Sequence, residues 1–323
     1  MLLRRLVTIP LLFICAILLV SLAPVLFVIA WLTSRFTWAK GAVATVSFVL
    51  GYVVLEINGI TRLFLAWLLH RHAPDYIDRN RTVQYWWANA LKDWVMKCFK
   101  LSFTCSGEAA LEGAPCLVFP RHASLADTVL PIVFYGSPQV VRLRYVLKRE
   151  LLWDPCLDVA GNRVPCHFVD RSGQDSGAAI ESVKKLTAGV GPDEGVAMFP
   201  EGTRFSRKKA DRLLNSSKEE LRALAARWPN LLPPRLGGTL AMLQANPGLD
   251  VLFMAHSGFE PAAELHDLLS GKWLGATIRL HFWRVKFDQI PEVSRHREFI
   301  NAQWDYMQRC VTNLSTGTPC EPV

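Results

Sequence analysis

Cys116 to Asp127 reads C-L-V-F-P-R-H-A-S-L-A-D: four apolar residues, a proline, then a polar turn that opens into a helical pattern over Ser124–Tyr135. An unbroken apolar run of this length suits a strand buried on both faces, and a helix directly after it makes a βα unit. The pattern recurs at Val196–Phe199, which is followed by P-E-G-T-R-F-S at Pro200–Ser206. Ser102–Cys105, His167–Val169, Val251–Ala255 and Thr277–Phe287 also read as strands; in the last, Ile278, Leu280 and Phe282 alternate with Arg279, His281 and Trp283. Helical patterns fall at Gly177–Thr187, Ser217–Arg227, Gly238–Gln244 and Arg295–Asn313. The alternation predicts an α/β fold, a mixed sheet flanked by helices.

Upstream, the chain changes character. Leu6 to Leu32 is uncharged and broken only by Thr8, Pro10, Ser21 and Pro24. As a helix it would extend about 40 Å, more than the roughly 30 Å hydrocarbon core of a bilayer and about twice the apolar region of a signal peptide. A second run, Gly41–Thr61, carries Glu56 and is joined to the first by the short Thr33–Lys40 link, which suggests a helical hairpin; a re-entrant or interfacial helix competes with a second span. Residues 1–72 therefore read as a membrane anchor of one or two transmembrane helices, and 73–323 as the folded domain. The domain opens with an amphipathic helix at about 80–100, whose face is Val83, Trp86, Trp87, Ala90, Leu91, Trp94, Val95, Cys98 and Phe99. The spacing fits both a helix packed on the core and one lying in the membrane interface.

Charge follows the same division. The net charge is +8, but residues 1–72 hold +5 of it, which leaves +3 on the other 251 residues. A basic stripe for nucleic acid is not supported. An apolar fraction of 51% excludes intrinsic disorder. The eight cysteines form no C-x-x-C pair, so they read as buried thiols rather than a zinc site. Neither a phosphate-cradling P-loop, a dinucleotide fingerprint nor a G-x-S-x-G elbow occurs.

Two loops carry chemistry. His122 and Asp127 are five residues apart, about 140° on an ideal helix, so they do not share a helical face. The spacing works if His122 sits in the strand-to-helix turn and Asp127 on the first turn of the helix. Asp127 would then fix the imidazole tautomer and leave the other nitrogen as a base. Taken alone, such a pair is as readily a surface turn with an acid near a helix N-terminus. In the second loop Gly202 permits tight backbone geometry, Thr203 offers a hydroxyl, and Arg204 offers a planar fork for phosphate oxygens. Glu201 can orient Arg204 or a substrate. Arg207, Lys208, Lys209 and Arg212 continue the patch or form an ordinary solvated charge run.

Together the loops resemble the signature of the glycerolipid acyltransferase family, which includes the 1-acylglycerol-3-phosphate acyltransferases: His-x4-Asp, then a Glu-Gly-Thr-Arg block. The resemblance spans approximately residues 73–313. Val146–Leu151 (V-L-K-R-E-L) looks like the family's Lys-x-Glu-Leu segment, and Phe168–Arg171 (F-V-D-R) like its second block. E-G-T-R-F-S-R-K-K, Asn230–Gly238 (N-L-L-P-P-R-L-G-G) and Asp267–Lys272 (D-L-L-S-G-K) are similar to a branch with a long insertion and N-terminal spans. Three departures stand out: Arg121 replaces the Asn that commonly precedes the family's His and adds charge beside the base, Pro165 and Cys166 stand where Gly is usual, and Phe253–His256 lacks a proline.

The resemblance implies transfer of a fatty acyl group from a thioester to the free hydroxyl of a lysophospholipid, foremost lysophosphatidic acid. His122 and Asp127 would be catalytic. Arg171, Glu201, Gly202, Thr203 and Arg204 would bind the acceptor. No metal or bound cofactor is expected; the donor would be acyl-CoA or acyl carrier protein, for which Arg142, Arg144, Lys148 and Arg149 with Arg207–Lys209 could form a cationic landing surface. The implied setting is an integral membrane protein, in a bacterial inner membrane with a cytoplasmic catalytic domain or in the endoplasmic reticulum of a eukaryote. Alternatives are another lysolipid acceptor, a non-catalytic lipid-binding protein, and a metal-dependent phosphohydrolase using His122, Asp127 and Glu201.

Overall fold

The computed structural model describes residues 2–137, 141–169, 176–262 and 265–320. Two long helices, α1 (Leu2–Thr33) and α2 (Ala42–His70), are followed by α3 (Tyr76–Phe99). The domain then runs β1 (Ser102–Ser106), β2 (Cys116–Pro120), β3 (Arg142–Lys148), α4 (Pro155–Gly161), β4 (His167–Val169), α5 (Ser176–Ala188) and β5 (Glu194–Ala197). It closes with α6 (Arg207–Leu214), α7 (Glu219–Arg227), α8 (Leu236–Gln244), β6 (Asp250–Ser257), β7 (Thr277–Val285) and α9 (His296–Thr316).

The described strands form one sheet in the order β1-β7-β6-β2-β5-β3-β4, parallel throughout except for the antiparallel β6–β7 pair. The mixed, helix-flanked sheet expected from the sequence is present. β2 lies at its centre, and its side chains alternate between two cores. Cys116 and Val118 face the core under α3 and α4; Leu117 and Phe119 face the core under α5, α8 and α9. With no accessible surface on any of these four residues, a polar face would be costly, which accounts for the unbroken apolar run. Because β5, β2 and β6 are adjacent and parallel, their carboxyl ends open onto the same edge of the sheet. In open α/β sheets this edge is where ligands bind.

Three local differences from the sequence reading have clear causes. The helix expected over Ser124–Tyr135 is a 3-10 turn (Ala126–Val129) followed by a π turn (Pro131–Tyr135). Pro131 lacks an N–H for the helical ladder, and Gly136 N–H closes back onto Pro131 O at 2.8 Å. β3, not anticipated, reads R-L-R-Y-V-L-K, and its arginines are consumed by structural partners. Arg144 donates to Glu194 and to the Leu186 and Gly189 carbonyls, and Arg142 pairs with Asp78 at 3.3 Å. Neither is a freely solvated cation for a donor to land on. α6 likewise gives order to what read as a charge run, capped by Ser206.

α1 and α2 are both long and apolar enough to cross a membrane. Their contacts with the domain are specific. Arg4 and Arg5 grip the buried Asp158 carboxylate at 2.7 and 3.1 Å. Gly41, just after the hairpin turn, donates to Leu269 O at 2.9 Å. Glu56, buried on the inner side of α2, accepts from Trp87 Nε1 at 2.9 Å and Cys156 N–H at 3.2 Å. The three tryptophans of α3 turn out to serve this docking. Trp94 Nε1 reaches the Ser47 carbonyl at 3.2 Å, where any Cβ on Gly51 would collide with its ring, and Trp86 lies under Arg62. The amphipathic face of α3 therefore packs on the sheet and on α2.

Candidate active site

Backbone geometry builds this site before any side chain acts. Pro120 ends β2 and Arg121 N–H still bonds Met254 O at 2.9 Å, so the chain leaves the sheet at His122. Both main-chain groups of His122 are then taken by the loop after β5. His122 N–H donates to Glu201 Oε1 at 2.7 Å, and its carbonyl accepts from Phe205 N–H at 2.7 Å. The two sequence blocks, 79 residues apart between His122 and Glu201, are thus bonded to each other directly. The His122 ring also lies 4.5 Å, centroid to centroid, from Phe199.

His122 Nδ1 bonds Asp127 Oδ1 at 2.7 Å. The other oxygen, Oδ2, accepts Ala123 N–H at 2.5 Å and Ser124 N–H at 2.7 Å. Asp127 thus caps the turn it belongs to, and its carboxylate is fixed before it meets the imidazole. A carboxylate acceptor at Nδ1 puts the proton there and leaves Nε2 as the basic nitrogen. Nε2 has no hydrogen-bond partner among the described residues, and the ring is 13% exposed, enough for a substrate hydroxyl to approach. Asp127 itself is inaccessible. Burial pushes its carboxyl up, but the charge and hydrogen bond of His122 and the nearby His256 ring outweigh it and hold the group well below the usual carboxylate range.

Glu201 is equally buried. Its second oxygen accepts Leu232 N–H at 2.9 Å, so the side chain bridges the backbone of His122 to the segment before α8. Burial pushes its carboxyl up to about 7, only partly offset by the charge on Arg121 and the two backbone bonds. Gly202 has φ +69°, a turn that favours glycine, and a Cβ there would meet the Arg235 side chain at 2.5 Å and displace it. Lys209 reaches back from α6 to Thr203 Oγ1 at 2.9 Å and the Arg204 carbonyl at 2.7 Å, tying the loop closed. Arg204 sits half-buried between these anchors. Arg171 lies outside the described residues.

Arg121 does not add charge beside the base. Its guanidinium is inaccessible and donates to the His256 carbonyl at 2.7 Å, Glu260 at 2.5 Å and the Asn230 carbonyl at 3.0 Å. It brackets β6 to the segment before α8, and Glu260 neutralises it. One residue at the site was not singled out from sequence: His256, at the carboxyl end of β6, whose Nε2 is 3.4 Å from Asp127 Oδ2. The usable signal was a polar side chain closing an otherwise apolar strand. Elsewhere, His281, Cys310 and Cys320 bring one potential ligand atom each to within 4.8 Å of one another. Both His281 nitrogens are already engaged, with Ser106 at 2.9 Å and Tyr306 at 3.0 Å, so the group reads as a satisfied core cluster.

Residues 102–248 match the family model described as Acyltransferase. No curated protein matches the chain. Among solved structures the fold is similar to that of the 1-acyl-sn-glycerophosphate (LPA) acyltransferase PlsC from Thermotoga maritima. The TM-score is 0.59 at 16% identity, over 87% of this chain and 98% of that one. The matched segment is less than half of the chain; it contains β1, β2 and β5 with both loops that converge on His122, and it is similar to the acyltransferase family there.

Proposed function

We propose that the protein transfers a fatty acyl group from an acyl thioester to the free hydroxyl of a lysophospholipid, foremost lysophosphatidic acid to give phosphatidic acid. The observation that carries this reading is the buried Asp127 carboxylate fixed on His122 Nδ1, with Nε2 left as a base. His122 Nε2 takes the proton of the acceptor hydroxyl while that oxygen attacks the thioester carbonyl. Asp127 stabilises the imidazolium that forms. The tetrahedral intermediate collapses, the C–S bond breaks, and the proton passes from His122 to the departing thiolate. The thioester is already activated, so no covalent enzyme nucleophile is needed. Ser124, whose hydroxyl donates to Ala262 O at 2.6 Å, holds the turn. Arg204 would grip the acceptor phosphate, with Arg171 as a second ligand, while Gly202 and Thr203 shape that pocket. The donor would be acyl-CoA or acyl carrier protein, and neither a bound cofactor nor a metal is required for these steps.

The hairpin supplies the setting. α1 is about 48 Å long by its 32 residues, and its outer surface is a sheath of Leu, Ile, Val and Phe. Yet Arg4 and Arg5 at one end and Gly41 after the turn both bond the domain. We therefore read the hairpin as embedded in the leaflet nearest the domain, with exposed Phe36 and Trp38 at its turn. A cysteine placed at Thr37 should then label from the domain's side of a sealed vesicle; labelling only from the opposite side would restore two full spans.

Mass spectrometry of products from lysophosphatidic acid and an acyl thioester tests the chemistry. The wild type should form phosphatidic acid, and His122→Ala should lose at least about 10²–10⁴-fold in turnover. Near-normal transfer by His122→Ala would reject the mechanism, and a better substrate within a lysolipid panel would reassign the acceptor.

A further inference from the structure

Asp127 is contacted by a second imidazole, on the side away from His122. His256 closes β6, next to β2 in the sheet, and is inaccessible to solvent. Its Nε2 lies 3.4 Å from Asp127 Oδ2 and 3.1 Å from the Arg121 carbonyl. Both neighbours are acceptors, so Nε2 must carry the proton. Nδ1 has no partner. A second proton there would be a buried donor with nothing to bond, which is far costlier than an idle lone pair. The geometry therefore fixes a neutral ring in the Nε2–H tautomer. The charged and titratable groups around it are Asp127 and Arg121 from the loop after β2, Glu260 from the turn after its own strand, and His122 beyond Asp127. Arg121 and Glu260 form an ion pair at 2.5 Å, so they offset each other.

We infer that His256 is a positioning residue for acyl transfer: its Nε2–H, hydrogen-bonded to the Arg121 carbonyl at 3.1 Å, also presents its positive end to Asp127 Oδ2 at 3.4 Å and sets how strongly Asp127 holds the proton-accepting state of His122. The inference rests on the proposed role of His122 as base. Each donor on Asp127 draws electron density from the carboxylate and weakens its hold on an imidazolium. Taking away the nearby Nε2–H dipole likewise makes Asp127 more basic, so His122 retains its proton to higher pH and less of the free base is available. The effect passes through the carboxylate and leaves the acceptor pocket untouched.

The test compares His256→Leu, which removes the donor, with His256→Gln, which can keep an N–H. In the full-length protein with lysophosphatidic acid and an acyl thioester, His256→Leu should move the acid limb of the kcat/KM profile upward by about half a pH unit. It should lower kcat by at most about threefold with the acceptor KM unchanged, the loss growing toward acid pH, and His256→Gln should restore the wild-type limb. An unmoved acid limb in folded His256→Leu would reduce His256 to a packing residue and overturn the inference. NMR of ring-labelled histidine in the wild-type protein reads the same claim without substrate or substitution. His256 should show protonated Nε2 and bare Nδ1; the opposite tautomer overturns the inference even if His256→Leu fails to fold. Loss of the acyltransferase reading would show separately, as a wild type that forms no phosphatidic acid while the tautomer stays as stated.

Discussion

The loop after β2 and the loop after β5 each press one wholly buried carboxylate against His122, Asp127 on the ring and Glu201 on the backbone. Burial alone raises both. Asp127 faces an imidazole, two backbone N–H groups and a second histidine, and it stays ionised far below the usual range. Glu201 meets two backbone N–H groups and a guanidinium already paired with Glu260, and it is pushed up to about 7. The difference shows that the depth of a group does not fix its charge; the donors and charges packed around it do. It also divides the labour. The β2 loop holds a charge that the proposed chemistry uses, and Glu201 in the β5 loop holds a shape.

Three measurements can break that division. The largest effect is expected for Asp127→Asn, which keeps volume but removes the charge and puts an amide N–H against donors. kcat should fall by about 10²-fold or more, with little change in acceptor KM. A kcat within a few-fold of wild type would mean that Asp127 only shapes the turn. Arg204→Ala should do the reverse, raising acceptor KM by about 10-fold with a smaller loss in kcat, since one charge-assisted contact is removed. An unchanged KM for lysophosphatidic acid would take Arg204 out of the phosphate site.

The smallest effect separates the two carboxylates by sign. Glu201 is raised from its usual 4.5 to about 7 in the folded protein, so the folded state binds the extra proton over that interval. Its contribution to stability is full below 4.5 and is lost as pH rises to about 7. Asp127 is lowered from 3.8, so its contribution is present above that value and lost only on further acidification. Thermal unfolding between pH 4.5 and 7 should therefore show a falling Tm component that Glu201→Gln removes, at the cost of a lower Tm throughout, because an amide cannot accept from both His122 and Leu232. A slope in that interval that survives Glu201→Gln would place the titration elsewhere.

The legible parts of this molecule were those whose signal is local. The apolar runs of β2 and β6 appeared in sequence because a strand covered on both faces tolerates no polar residue. β3 did not appear, because its arginines face partners distant in sequence, Asp78 on α3 and Glu194 on β5. The tryptophans of α3 had the right period but an undecidable target, since a lipid surface and the face of α2 ask for the same side chains. Glu56 read as a lone charge in the second apolar run and is a docking group between α2, α3 and α4.

At the site, the residue types and spacing of His122, Asp127 and the Glu201–Arg204 block were enough to carry the resemblance to the glycerolipid acyltransferases, and that resemblance is what implied acyl transfer. They were legible because each belongs to a short loop following its own strand. Sequence alone also suggested the apolar hairpin and gave no support for a nucleic-acid stripe. Only the tertiary structure decided how these parts act on each other. Parallel neighbours β5, β2 and β6 bring three strand ends to one edge, so Glu201 meets the backbone of His122, Arg121 turns inward to Glu260, and His256 arrives behind Asp127. Those contacts join residues 79, 139 and 129 positions apart. Which strand lies beside which is set by the packing of the whole sheet, and no local pattern of side chains records it.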